Sequence, residues 1–271
     1  MTGALSRSKK ALGFLSRLPT LAKVARSVDS LAPFSGPLGK SGYLESAVPT
    51  AVAGLARQPF DSFGDVLVLN DDANGFLAPV MKQIHPVVSS YLGSHAFLDT
   101  IQPIVIDAGY SSVSEGWHTD NVGARVKVFF CVEGDGGAPT LVVPSSDRIR
   151  TIPTLVRHAQ REIPRYFGAT NTRDLKGAIA LQHSTGTLNF FDTDLLHRGA
   201  YEKLESVRKI LLFEFSDRRK HGRIKGPLGT RVRNQFLLSA GLLEIPELSL
   251  LLDRDRLVMV RDDLFLYRQA L

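Results

Sequence analysis

The chain has 271 residues, 44% hydrophobic and 22% charged, which is material for a large globular core and excludes a disordered or membrane-class composition. No apolar run approaches the ~20 residues that span a bilayer, and the single cysteine, Cys131, excludes a disulfide within the chain and fits a reducing, cytoplasmic setting. The net charge of +6 is carried by six basic side chains among residues 1–28 (Arg7, Lys9, Lys10, Arg17, Lys23, Arg26), so 27 basic and 27 acidic residues balance elsewhere, which argues against a nucleic-acid-binding face.

Residues 1–31 read as two short helices divided by Pro19. In the second, Leu21, Val24, Ala25 and Val28 follow helical i, i+3, i+4, i+7 spacing, and the basic residues largely avoid that stripe. One reading is a basic amphipathic leader that rests on an anionic membrane surface, making the protein membrane-peripheral, or serves as a transit peptide. The other is an N-terminal helix packed on the main domain with a solvated basic face. Residues 33–49 are rich in Pro, Gly and Ser and read as a linker or irregular wrap, so 1–49 forms a first segment.

Residues 50–100 read as a helical support region. A helix is expected to begin near Asp71 or Asp72, either of which suits an N-cap. Phe76, Leu77, Val80, Met81, Ile84, Val87, Val88 and Tyr91 then recur at helical spacing, with Pro86 as a kink. From residue 101 the period changes. IQPIVIDAGY, ARVKVFFCV, PTLVVP, GAIALQH, TLNFF and KILLFEFSD are short β-rich runs divided by turn formers. A helical insertion is expected at about 147–177. Residues 217–271 read as a basic loop, RRKHGRIKGPLG, followed by leucine-rich C-terminal helices. The fold class is therefore mainly β with flanking helices, its core at 101–216 a double-stranded β-helix of the jelly-roll, cupin-like kind.

Within that core, His118 and Asp120 lie two residues apart on an extended segment and project from one face. His197 follows on a later strand-like run, with Arg208 eleven positions beyond it. Two histidines and one carboxylate make the facial set that holds a non-haem Fe(II) with open positions. An arginine downstream suits a carboxylate-bearing cosubstrate. The pattern points to an Fe(II)- and 2-oxoglutarate-dependent oxygenase that consumes O2.

Three segments resemble the phytanoyl-CoA dioxygenase family of 2-oxoglutarate oxygenases: His118-Thr119-Asp120, GGAPTLVVPSSDR, and GTLNFFDTDLLHRGA with Arg208 downstream. They cover roughly residues 100–216. The resemblance implies that His118, Asp120 and His197 ligate iron and that Arg208 pairs with the distal carboxylate of 2-oxoglutarate. It further implies hydroxylation of an unactivated C–H bond of a small-molecule substrate, with release of succinate and CO2. Desaturation, cyclisation or epimerisation at the same site are alternatives, and a cupin-like metal-binding module without oxygenase activity is an alternative of another class. The chain departs from the family pattern in two places. Pro144-Ser145-Ser146-Asp147 replaces a Pro-Gly-Ser-His turn, and Gly199 stands where relatives place a hydroxyl residue two after the distal histidine. Asp120 counts against a halogenase, since those resemble this family but carry Gly or Ala there.

Other residues are candidates by position. Regular alternation along 124–132 puts Lys127 on one face with Arg125, Phe129 and Cys131. A lysine facing the barrel interior needs an anion, so Lys127 is a candidate contact for 2-oxoglutarate or an acidic substrate. Gln102, on the preceding strand, is a second cosubstrate candidate. Trp117, beside the first histidine, either lines a substrate pocket or belongs to the core, and Arg125 is a further pocket candidate. His85, His95, His158, His183 and His221 lack a partner at useful spacing and read as structural or exposed.

Overall fold

The structure is a computed structural model that describes residues 36–57, 66–107, 116–120, 125–135, 139–144, 173, 175–200, 207–218 and 235–268. The basic leader, most of the insertion expected at 147–177 and the basic loop after Arg218 lie outside the described residues. The described elements run α1 (Leu38–Ser41), β1 (Tyr43–Ala47), α2 (Thr50–Leu55), β2 (Leu67–Leu69), α3 (Asn74–Leu92), β3 (Ala96–Ile106), β4 (Arg125–Glu133) and β5 (Thr140–Val143). They continue with β6 (Ile179–Leu181), β7 (Thr187–Asp192), β8 (Leu196–Gly199), β9 (Arg208–Asp217), β10 (Phe236–Ser239), α4 (Pro246–Leu251), β11 (Leu257–Arg261) and β12 (Leu264–Tyr267).

Two antiparallel sheets build the core. One has strand order β1-β7-β4-β9-β3, the other β6-β5-β8. Alternation within the long strands gives the first sheet two distinct faces. Val126, Val128, Phe130 and Val132 of β4 join Leu188 and Phe190 of β7 and Leu211, Phe213 and Phe215 of β9 in the main hydrophobic core. That face is covered by the apolar stripe of α3, in which Phe76, Leu77, Val80, Met81, Ile84 and Val88 are fully buried. On the opposite face, Phe129 and Phe191 pack with Val142, Leu181 and Leu195 of the smaller sheet and its connections. The two sheets thus close face to face as a jelly-roll, the mainly β class with flanking helices that the strand pattern predicts.

The 19-residue helix α3 runs through Pro79 and Pro86. Pro86 and Lys82, whose carbonyl loses its partner to the proline, are both exposed, so the break in the hydrogen-bond ladder lies on the solvent side of the helix. Neither Asp71 nor Asp72 caps the helix. They form a 3-10 turn before it, where Asp71 accepts a hydrogen bond from Ser239 and Asp72 from Asn70.

Two expectations are corrected. Within the stretch read as a linker, Tyr43–Ala47 form β1, which pairs with β7 as the edge of the larger sheet. The C-terminal leucines do not build a set of helices. Among the described residues there, α4 spans six positions, a 3-10 turn spans Ala240–Glu244, and β10, β11 and β12 form with β2 a third sheet ordered β11-β12-β10-β2. The β-branched Val258 and Val260 and the turn at Asp262-Asp263 favour a hairpin over a helix. Among the described residues no helix is long and apolar enough to cross a membrane.

Candidate metal centre

The mouth of the barrel is tied by a single antiparallel bridge. His118 and His197 donate their backbone N–H groups to each other's carbonyls, both at 2.9 Å. In such a pair the two side chains stand side by side on one face, and here the ring centroids are 4.3 Å apart. The Asp120 N–H donates to the Thr193 carbonyl at 3.0 Å, which brings its carboxylate to the same place. One ligand-capable atom from each of His118, Asp120 and His197 lies within 4.8 Å of the others. The structure therefore brings together the three residues that the spacing predicts.

Each imidazole is oriented by the same local device. His118 Nδ1 lies 2.7 Å from the Gly116 carbonyl and His197 Nδ1 lies 2.8 Å from the Leu195 carbonyl, each two residues upstream. A carbonyl only accepts, so Nδ1 carries the hydrogen and Nε2 presents its lone pair to the centre. The Nε2 atoms of His118 and His197 stand 3.5 and 3.6 Å from Asp120 Oδ1 and Oδ2. Burial, and then the neighbouring His118, push the His197 imidazole down to about 4 against the pull of Asp120. Burial raises the Asp120 carboxyl, but Lys127, His197 and His118 outweigh it and hold it well below the usual carboxylate range. For His197 and Asp120, a neutral imidazole and an ionised carboxylate are the protonation states a divalent metal needs. The residues present fit an Fe(II) ion held by nitrogen, oxygen and nitrogen.

Lys127 does face the interior, but its anion is supplied by the chain. Its Nζ lies 2.5 Å from Asp120 Oδ2 and 3.6 Å from Glu214 Oε1. The physical reason for assigning it to 2-oxoglutarate, an unmet buried charge, is thereby removed. Arg125 is likewise no pocket residue: it is buried, with Nη2 at 2.7 Å from Asp99 Oδ2 and 2.5 Å from Glu214 Oε2. Trp117 belongs to the core. It packs with Leu141 and Ala200, donates Nε1–H to the Arg173 carbonyl at 2.7 Å, and lies under the Arg198 guanidinium. Gln102 stands on edge strand β3 opposite Leu212, with β9 between it and Lys127.

Arg208 opens β9, is buried, and shares the inner face with Ile210, Leu212 and Glu214. Its neighbours include Gly134, Cys131 and His183. A methyl group built on Gly134 would meet the Arg208 side chain at 3.5 Å, and the Arg208 cation acts on both Cys131 and His183. His183 is fully buried, with Nε2 at 3.0 Å from Thr140 Oγ1 and Nδ1 at 3.3 Å from Asn189 Nδ2. Cys131 donates to the His183 carbonyl at 3.0 Å, and burial pushes its thiol up to about 12, which leaves it inert.

Asp99, Glu214 and Arg256 are charged neighbours of the site that motif spacing did not single out. Asp99 and Glu214 each sit in an apolar run (AFLDTI, LLFEFS), where an isolated charge at an inward position is the available signal, whereas Arg256 follows Asp253, Arg254 and Asp255 and carries no such signal.

No protein-family model matches the sequence, and no curated protein matches it. Solved structures do resemble the fold in part. EvdMO1 superposes at a TM-score of 0.45 with 12% identity over 66% of this chain, which spans only 48% of EvdMO1, about half its length. HygX from Streptomyces hygroscopicus, with nickel and 2-oxoglutarate bound, gives 0.46 and 12% over 66% of this chain and 84% of its own. SnoN, a non-heme alpha ketoglutarate dependent epimerase from nogalamycin biosynthesis, gives 0.43 and 10% over 72% and 83%.

Proposed function

We propose that the chain is a non-haem Fe(II)- and 2-oxoglutarate-dependent oxygenase, of the phytanoyl-CoA dioxygenase-like kind, that hydroxylates an unactivated C–H bond of a small-molecule substrate. The observation that carries this reading is the convergence of His118 Nε2, His197 Nε2 and the Asp120 carboxylate, with both Nδ1 atoms committed to backbone carbonyls. When bound, the iron and its cosubstrate supply the oxidation, in which a C–H group, O2 and 2-oxoglutarate become C–OH, succinate and CO2. His118, Asp120 and His197 would hold the ion through two imidazole nitrogens and a carboxylate. Arg208 pairs with the distal carboxylate of the cosubstrate, and Phe191, 5.0 Å from the His197 ring, forms an apolar wall that excludes water.

The test is anaerobic addition of Fe(II) and 2-oxoglutarate, followed by visible absorption for the weak metal-to-ligand charge-transfer band. The band is expected in the native chain, lost in His197→Ala and weakened in Arg208→Ala. Folded, metal-loaded protein without a band would overturn the oxygenase reading in favour of a metal-binding module.

A further inference from the structure

The buried charges beside the site form one line of alternating sign. Arg256 Nη2 lies 3.2 Å from Asp99 Oδ1, and Asp99 Oδ2 lies 2.7 Å from Arg125 Nη2. That nitrogen is 2.5 Å from Glu214 Oε2, whose Oε1 is 3.6 Å from Lys127 Nζ. Lys127 Nζ then reaches Asp120 Oδ2 at 2.5 Å. The line begins on the 3-10 turn Arg254–Arg256 before β11 and ends on the candidate ligand carboxylate. Its inner links are set by strand register, because Lys127 of β4 and Glu214 of β9 are direct cross-strand partners.

We propose that Lys127 is a positioning residue for Asp120, holding Oδ2 so that the carboxylate offers a divalent metal one oxygen and not two. The inference rests on the metal-site reading above and deepens it. Lys127 Nζ pairs with Oδ2 at 2.5 Å, much closer than the 3.6 Å between that oxygen and His197 Nε2, while Oδ1, 3.5 Å from His118 Nε2, has no cation at ion-pair distance among the described lysines and arginines. Carboxylates ligate metals through either one oxygen or both. On a six-coordinate ion carrying two imidazoles, one-oxygen ligation leaves three positions open, as in the facial triad. Two-oxygen ligation leaves two, both of which a chelating keto acid fills, with none left for O2. Lys127 thus preserves a coordination position by restraining a ligand of the chain itself, without touching the cosubstrate.

The lysine is itself restrained. Glu214 Oε1 holds the ammonium group, and the other Glu214 oxygen is held by Arg125, which Asp99 shares with Arg256. Swinging Nζ away from Asp120 would leave the carboxylate without its closest cation in a place only 20% exposed.

The experiment compares native chain, Lys127→Met, Lys127→Arg and the charge-balanced double variant Lys127→Met/Glu214→Gln. Each is titrated anaerobically with Fe(II) alone and then with 2-oxoglutarate, following metal stoichiometry and the visible band. In Lys127→Met, Fe(II) binding is expected to persist at native strength or better, because a second carboxylate oxygen becomes available. Affinity of the iron-loaded protein for 2-oxoglutarate should fall about 10- to 100-fold, and Lys127→Arg should restore much of it. A Lys127→Met protein that binds both as the native chain does would overturn the proposal, as would parallel loss of iron and 2-oxoglutarate, which marks a merely structural lysine. Should the single variant fail to fold, the double variant makes the same comparison. Native protein that takes up no Fe(II) overturns the metal reading and this inference together, whereas native binding with an indifferent Lys127→Met overturns this inference alone.

Discussion

His118 and His197 are joined through their backbones before they are joined by any ligand: each donates its N–H to the other's carbonyl at 2.9 Å. The candidate metal centre is therefore a property of two chain segments pinned together, with side chains that add potential ligand atoms to an existing bridge. Alanine at either position keeps the bridge and removes one Nε2. His118→Ala and His197→Ala should keep native circular dichroism and lose about 1 kcal/mol from the missing Nδ1–H bond to Gly116 or Leu195. Fe(II) uptake should fall below detection in both. Calorimetric titration with Fe(II) under anaerobic conditions, beside thermal melts, separates the two effects.

Arg208 opens β9, six residues before Glu214, the carboxylate that pairs with Lys127 beside Asp120. Removing Arg208 should leave metal binding intact and weaken the cosubstrate. Charged hydrogen bonds contribute about 1.5–3 kcal/mol, so Arg208→Ala should raise the apparent Kd for 2-oxoglutarate roughly 10- to 100-fold. Arg208→Lys should recover only part of this, since an ammonium group lacks the planar two-pronged geometry. Equal loss of iron and 2-oxoglutarate affinity in Arg208→Ala would refute the assignment.

Local pattern and long-range pairing were legible to different degrees. Alternation in ARVKVFFCV and KILLFEFSD gave β4 and β9, and the apolar period gave α3, because each signal is contained within one element. The His118, Asp120 and His197 set was legible because motif order survives in a linear reading. Partners across strands were not. Lys127 was seen to face inward and to need an anion, yet Glu214 became its neighbour only through the β4–β9 register, and Asp120 through the bridge at His118. Trp117 was ambiguous for a similar reason: its place beneath Arg198 and against Leu141 depends on how β5 meets β8. The C-terminal leucines failed as a helix signal because short apolar runs fit both periods, and pairing with β2 and between β10, β11 and β12 decided the outcome.

The line of buried charge should show itself in stability. Asp99 is 1% exposed and pairs with both Arg125 and Arg256. Asp99→Asn removes the carboxylate paired with Arg256 and one of the two paired with Arg125, which keeps Glu214, and breaking a buried pair in this way costs about 3–5 kcal/mol. Arg261→Ala is the contrast, since its pair with Asp263 has side chains 67% and 70% exposed, and such surface changes stay within ~0.5 kcal/mol. Chemical denaturation midpoints of the two variants should differ accordingly. Equal midpoints would mean that water or rearrangement satisfies the arginines.

His183 makes stability depend on pH in a defined direction. Burial, and then the Arg208 cation, hold its imidazole well below the ordinary value. In the unfolded chain the same ring takes a proton near pH ~6.5. Between these two values the unfolded state binds more protons than the folded one, so stability rises with pH there. The contribution is complete above about pH 6.5 and is lost progressively as the solution is acidified toward the folded-state value. His197, pushed down to about 4, adds a slope of the same sign. Asp120 acts in the other window: its carboxyl is depressed in the fold, so its contribution is lost only below about pH 4. His183→Gln keeps a side chain able to hydrogen-bond Thr140 and cannot titrate. Urea midpoints measured from about pH 8 to about pH 5 should therefore fall in the native chain and fall less in His183→Gln, by up to ~1.4 kcal/mol per pH unit. Identical slopes in the two proteins would show that His183 accepts a proton without unfolding, through a rearrangement that admits water to the barrel's inner end.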